Sequence, residues 1–264
     1  MDNIVVLVAD ALRYDAVPDR VEEEFQSDVI PTLAPSLHTP TSFASLFTAR
    51  SPENHNVRGF IEDLDPELET GFDRFDNASF YDGEDSAINK HIFRSPGTDL
   101  DGMEEPFIWV ERLMETHIFY GEMGHDRDFD LDMTGDEYRR KGIRGDFDLR
   151  EEYRNGVEKL EDHIFHHIDE LEQRGLLDDT LVVVTADHGE LFGERYLFRR
   201  RWEHNYPPLR PLVQVPTAFY NAEVDADCMR LIDVLPTAFS ILGKELFGDG
   251  VDVRDGPVRE GVNI

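Results

Sequence analysis

At 264 residues the chain is long enough for one large α/β domain, which would bury about three quarters of the surface its unfolded form exposes. With 57 acidic against 26 basic residues and a formal net charge of −31, nucleic-acid binding through a basic face is excluded, Arg199-Arg200-Arg201 being the one short basic cluster. The single cysteine, Cys228, excludes an internal disulfide and a cysteine-based zinc knuckle, and no apolar run reaches the length of a membrane span or a signal-peptide core.

The first element is Ile4-Val5-Val6-Leu7-Val8-Ala9, a β-branched apolar run ending in Asp10. That is the pattern of a strand buried on both faces of a parallel sheet. After a glutamate-rich polar segment, residues 30–40 carry three prolines and read as a loop. Residues 41–48 predict a short apolar helix beginning within 39–42, with Thr41 or Ser42 as caps and Pro40 near the first turn. Thr39 would then sit at a helix N-terminus, where backbone N–H groups and the dipole favour an anion. Residues 58–105, rich in Asp, Gly, Asn and Phe without periodicity, read as loops; Asn77-Ala78-Ser79 fits a glycosylation sequon of a kind common by chance.

A third buried strand is predicted over 106–110, with Glu115, His117 and Tyr120 on the segment leaving it. Tyr153, Val157, Leu160, Ile164, Ile168 and Leu171 recur at helical spacing, so residues 149–174 predict an amphipathic helix closed by Gly175. His163 and His167 fall off that apolar stripe and read, with His166, as solvated side chains rather than metal ligands. The strand 181–186 follows and runs into Asp187-His188-Gly189-Glu190. Beyond it come an arginine-rich polar loop carrying His204, the apolar run 212–220, a helix over 229–242 and a Gly/Asp/Val-rich tail. Strands alternating with helices predict a three-layer α/β/α sandwich with a mostly parallel, doubly wound sheet, as one domain over 1–264.

Carboxyl ends of strands are where open α/β sheets bind ligands, so Asp10, Asp187 and His188 form a candidate metal site. The same residues also suit strand-end turns. A divalent ion held there would act as a Lewis acid and lower the pKa of a coordinated hydroxyl, as bound water falls from ~15.7 to ~7, and Thr39 is a candidate for such activation.

At these residues the chain resembles the sulfatase-like branch of the alkaline phosphatase superfamily, over nearly its whole length. The matching pieces are residues 3–15, Thr39-Pro40-Thr41-Ser42-Phe43-Ala44-Ser45-Leu46-Phe47-Thr48-Ala49-Arg50 with Ser51-Pro52 and His55, then Glu115 to Tyr120 and Tyr153 to Val157. They continue through Gly175 to Thr180, Asp187-His188-Gly189-Glu190, Trp202-Glu203-His204, Val215-Pro216 and Asp233-Val234-Leu235-Pro236-Thr237. The family's nucleophile motif opens with a cysteine that becomes formylglycine, followed by a proline and an arginine. Aligned on Leu46 to Arg50, those positions hold Thr39, Thr41 and Phe43, so formylglycine is excluded and Thr39 resembles the threonine nucleophile of superfamily members that attack phosphorus.

The resemblance implies one metal site made by Asp10, Thr39, Asp187 and His188, for Zn, Mn, Mg or Ca. A second metal, if present, would draw on His204 with Glu115 or His117. It also implies Thr39, His204, His117 and His55 as catalytic groups, and Arg13 and Arg50 as contacts for a small anionic ester, phosphate in preference to sulfate. Ala11 replaces the second aspartate of the family's Asp-Asp pair, and the family's C-terminal subdomain is expected to be absent. The alternative is a degenerate member that binds an anion or a partner without turnover. Carboxylates spread along an otherwise ordinary globular sequence repel one another unless salt screens them, so the expected setting is the cytoplasm of a high-salt organism, with no membrane partner.

Overall fold

The computed structural model describes residues 1–82, 86–121 and 133–255. In chain order the elements are β1 (Asn3–Ala9), α1 (Asp19–Glu24), β2 (Ile30–Leu33), α2 (Thr39–Thr48), α3 (Pro52–His55), β3 (Asn77–Tyr81) and β4 (Phe107–Leu113). Then follow α4 (Gly135–Arg144), α5 (Leu149–Gln173), β5 (Thr180–Ala186), β6 (Phe192–Tyr196), β7 (Arg199–Trp202), α6 (Arg210–Val213), β8 (Gln214–Tyr220), β9 (Met229–Arg230) and α7 (Val234–Ile241). Seven strands make one sheet in the order β3-β4-β1-β5-β8-β2-β9, and β6 with β7 forms a separate hairpin. Every neighbouring pair in the large sheet is parallel except those made by β8, which runs antiparallel to both β5 and β2.

β1 is central because it is apolar on both faces. Ile4, Val6 and Val8 pack with Phe43, Phe47 and Phe239 of α2 and α7. Val5, Leu7 and Ala9 pack on the other face with Leu160, Ile164 and Leu171 of α5. Each such side chain taken wholly out of water contributes about 1.5–3 kcal/mol, so three layers follow from the strand's own composition. The β1–β5 register sets Ala9 opposite Ala186. Asp10 and Asp187 therefore leave the sheet side by side at its carboxyl edge.

Several expectations are corrected. Residues 30–33 form a strand despite Pro31, because Pro31 lies opposite Pro216 in register and that pair requires an N–H from neither. Helix α2 begins at Thr39 with His38 as its N-cap residue, so Thr41 and Ser42 lie inside the helix rather than capping it. The segment 58–105 contains β3, and Ser79 of the sequon is buried within that strand. β4 continues through Glu111 and Arg112 to Leu113. The arginine-rich segment before His204 is the β6–β7 hairpin, and residues 229–242 divide into β9, a 3-10 turn and α7. His163 and His167 are buried, at 8% and 5% exposure, because Glu115 and Glu111 of β4 and its continuation reach under α5 to meet them. Among the described residues no helix is long and apolar enough to cross a membrane.

Candidate active site

The turn after β1 is built to present two carboxylates to one point. Ala11 takes a left-handed conformation with φ 65°, and its N–H donates to Asp187 Oδ1 at 3.1 Å. The His188 N–H donates to the same oxygen at 2.8 Å. Tyr153 of α5 clamps this turn, its hydroxyl donating to the Ala11 carbonyl at 2.8 Å and accepting from the Arg13 N–H at 3.0 Å. Asp10 Oδ2 accepts two bonds from Arg112, at 2.9 and 2.5 Å. Each carboxylate thus has one oxygen committed, while Asp10 Oδ1 and Asp187 Oδ2 are buried with no hydrogen-bond partner.

His188 completes the group. Its Nδ1 lies 3.0 Å from the Gly189 carbonyl, so Nδ1 carries the proton and Nε2 is left with a free lone pair. Nε2 stands 3.5 Å from Asp187 Oδ2 and 3.9 Å from Asp10 Oδ1. Gly189 is required at this bend: its N–H donates to Leu212, and a Cβ there would collide with the Pro211 carbonyl. Thr39, at the start of α2, places Oγ1 3.4 Å from both Asp10 Oδ2 and His188 Nε2.

Two orphaned carboxylate oxygens, an imidazole nitrogen with its tautomer fixed and a hydroxyl converge, with the Asp10, Asp187 and His188 ligand atoms all within 4.8 Å of one another. Unpaired buried acceptors of this kind cost several kcal/mol unless a cation meets them, and the donor set is one that divalent metals accept. The residues fit a metal.

The electrostatics agree with that reading. Burial opposes ionisation of Asp10, but Arg112, with His117 and His188, outweighs it and holds Asp10 well below the usual carboxylate range. Burial and the Asp10 charge push Asp187 up instead. The His204 ring lies 4.5 Å from the His188 ring and tilted 34° to it, and although burial resists its protonation, Glu190, Asp10 and Asp187 raise its pKa. Burial is the main cause that lowers that of His38. His117 adds its field to Asp10.

Not every candidate joins this group. His55 is buried in α3 between Ser45 Oγ, 2.8 Å from its Nε2, and the Val57 N–H, which donates to its Nδ1. Arg13 is held by Asp15, Glu194 and the Glu190 carbonyl. Arg50 donates to the Phe247 carbonyl. Glu115 lies with His163 at 2.7 Å and not beside His204. Arg112, His38 and Glu190 were not foreseen. For Arg112 a signal existed: Glu111-Arg112 interrupts an apolar run that resumes at Leu113-Met114, the mark of charged side chains inside a strand.

Residues 100–243 match the family model described as Sulfatase. The low-salt glycan biosynthesis sulfotransferase Agl7 of Haloferax volcanii is 29% identical over 271 residues, covering 96% of this chain. The chain spans 64% of that curated relative's length. Among solved structures, a 2-O GAG sulfatase superposes with a TM-score of 0.67 at 15% identity, covering 96% of this chain and 74% of that one. The phosphonate monoester hydrolase of Agrobacterium radiobacter also gives 0.67, at 14% identity, over 99% and 78% of the two chains. At these identities the likeness is one of fold.

Proposed function

Since the chain belongs to the sulfatase family, we propose that it is a metal-dependent hydrolase or transferase in which Thr39 is the nucleophile toward a small phosphate ester or phosphodiester. The observation that carries the reading is the position of Thr39 Oγ1, 3.4 Å from an Asp10 oxygen and 3.4 Å from His188 Nε2 at the opening of a helix. Asp10, Asp187 and His188 would hold the ion, which supplies Lewis-acid stabilisation of charge and favours the alkoxide of Thr39.

The remaining work falls to the protein's own groups. Thr39 Oγ1, its proton released to solvent, forms the bond to phosphorus while the bond from phosphorus to the leaving oxygen breaks and that oxygen takes a proton. His204, whose proton Glu190 helps retain, is the donor, and His117 and His38 complete the polar wall around the transferred group. Pro40 carries no N–H and the Thr41 and Ser42 N–H groups donate to the His38 carbonyl, so α2 offers the developing negative charge its dipole rather than a set of free donors. His55, Arg13 and Arg50 act as supports, through the partners named above. In a second step water or a carbohydrate hydroxyl gives its proton to His204, bonds to the phosphorus and displaces Thr39 as its alkoxide, which regains a proton from solvent.

A second reading, sulfuryl transfer, is favoured by the name of the Haloferax volcanii relative, a sulfotransferase of glycan biosynthesis. A threonine sulfate lacks the hemiacetal route by which a formylglycine sulfate collapses, so transfer to an acceptor is easier to reconcile with Thr39 than hydrolysis of a sulfate ester.

The test is a panel of phosphate monoesters, phosphodiesters, phosphonates and sulfates, with and without a carbohydrate acceptor, assayed with several divalent metals. Thr39→Ala should lower turnover by at least about three orders of magnitude while metal content is retained. Unchanged turnover in that variant removes Thr39 as nucleophile, and wild-type protein without bound metal or turnover favours a degenerate, non-catalytic member.

A further inference from the structure

On the α5 face of the sheet, away from Thr39, a second group of side chains converges. Glu111 of β4 reaches His163 and His167, one helical turn apart on α5, and all three are buried. Glu111 Oε1 is 3.6 Å from His163 Nε2, and Glu111 Oε2 is 2.6 Å from His167 Nε2. One carboxylate therefore presents both oxygens to two imidazoles, each through its Nε2.

The far nitrogens differ between the rings. His163 Nδ1 lies 2.7 Å from Glu115 Oε1, whereas His167 Nδ1 makes no hydrogen bond and has the Glu170 carboxylate 3.9 Å away. The Glu115 carboxylate behind His163 fixes the tautomer that directs its Nε2 inward and raises the basicity of that nitrogen, the arrangement found around metal-bound histidines. Two histidines at i and i+4 share one helix face and are a recurring zinc-ligand spacing.

We propose that Glu111, His163 and His167 form a second metal site, structural in character, that takes Zn2+. The donors are two imidazole nitrogens and one oxygen of the Glu111 carboxylate, and a water completes four-coordination. This set suits zinc and discriminates against Ca2+ and Mg2+, which need more oxygen ligands. Bonds of ~2.1 Å in a tetrahedron give ligand separations of roughly 3.4 Å. The His163–Glu111 distance of 3.6 Å already has that value, and His167 needs to open from its direct bond to Glu111 by less than an ångström, on the order of one rotamer adjustment. The ion would tie α5 to β4 directly behind Arg112, whose side chain points to the opposite face and holds Asp10.

This site is separable from the reading of Thr39. In the full-length Asp187→Asn protein, which lacks a ligand of the first site, metal is stripped with chelator and Zn2+ or Co2+ is added back. The expected result is one retained equivalent of zinc after desalting, a raised melting temperature, and with Co2+ the visible absorption of a four-coordinate site. Glu115→Gln on that background should weaken Zn2+ binding about 10–100-fold without abolishing folding, and His167→Gln should remove binding. If His167→Gln does not fold, the cobalt spectrum and the Glu115→Gln titration decide. Asp187→Asn protein that retains no metal, or whose zinc affinity ignores both Glu115→Gln and His167→Gln, overturns the proposal and leaves a buried glutamate–histidine network.

Discussion

Asp10 is the residue on which the site depends, and Arg112 is what allows a buried, ionised Asp10 to exist without a metal. The guanidinium meets Asp10 through two bonds and Asp82 through a third at 3.3 Å. Removing one member of a buried ion pair leaves an uncompensated charge, at a cost of about 3–5 kcal/mol. Arg112→Met should therefore lower the unfolding free energy in chelator by that amount, and added divalent metal should restore part of it, since the ion takes over the compensation of Asp10. Urea unfolding with chelator and with metal measures both; a loss below about 1 kcal/mol with no metal response would contradict this role. That Asp10, Asp187 and Thr39 would gather at one place was legible because each sits where a local pattern stops: Asp10 and Asp187 after apolar runs, Thr39 at a helix start. Arg112, His38 and Glu190 were not, because their roles depend on what faces them from other elements.

At the scale of elements, α2 carries Thr39 and is braced by α3 through the Ser45–His55 contact. Burial is the main cause that drives the His55 pKa down from 6.5 to about 4. A histidine with a depressed folded pKa stabilises the protein above its unfolded value, and that stability is lost as pH falls through 6.5 toward 4. The loss amounts to at most roughly 3 kcal/mol. His55→Gln should flatten this part of the stability–pH curve, measured by unfolding between those pH values, and an unaltered slope would exclude His55 as its source.

The long helix makes a different demand. Gly156 faces the Glu115 carbonyl so closely that a Cβ would overlap it. Gly156→Ala should cost on the order of 2 kcal/mol or more through overpacking, in place of the usual helix gain. An equal or higher melting temperature would show that the contact yields. The helix itself was legible from its period, and β1 and β5 from their apolar runs. The β6–β7 hairpin and β3 were not, since short polar strands carry no burial pattern. The heptad-like stripe of α5 also concealed its histidines, which are buried by Glu111 and Trp109 of β4 and by Glu115 just beyond it, residues far away in sequence.

Over the whole molecule the dominant quantity is a net charge of −31. Self-repulsion on that scale weakens the folded state at low ionic strength, where the screening length is ~10 Å at 0.1 M and ~3 Å at 1 M. We expect the urea midpoint to rise from dilute buffer to molar KCl, beyond the change seen with a near-neutral protein of similar size, and a flat or falling midpoint would contradict a salt-adapted surface. The fold class was legible in full because strands buried on both faces allow few architectures, and β8 running against its neighbours was not, since strand direction leaves no mark on composition. The architecture's consequence is a site at one sheet edge whose central claim is chemical: Thr39 becomes covalently attached to the group it transfers. The most direct measurement is rapid acid quench of the metal-loaded enzyme during turnover of its best substrate, followed by high-resolution mass spectrometry of the peptides. The account predicts one phosphoryl or sulfuryl group on the peptide containing Thr39, absent from Thr39→Ala. Turnover with no adduct on Thr39, or an adduct on another residue, would contradict it.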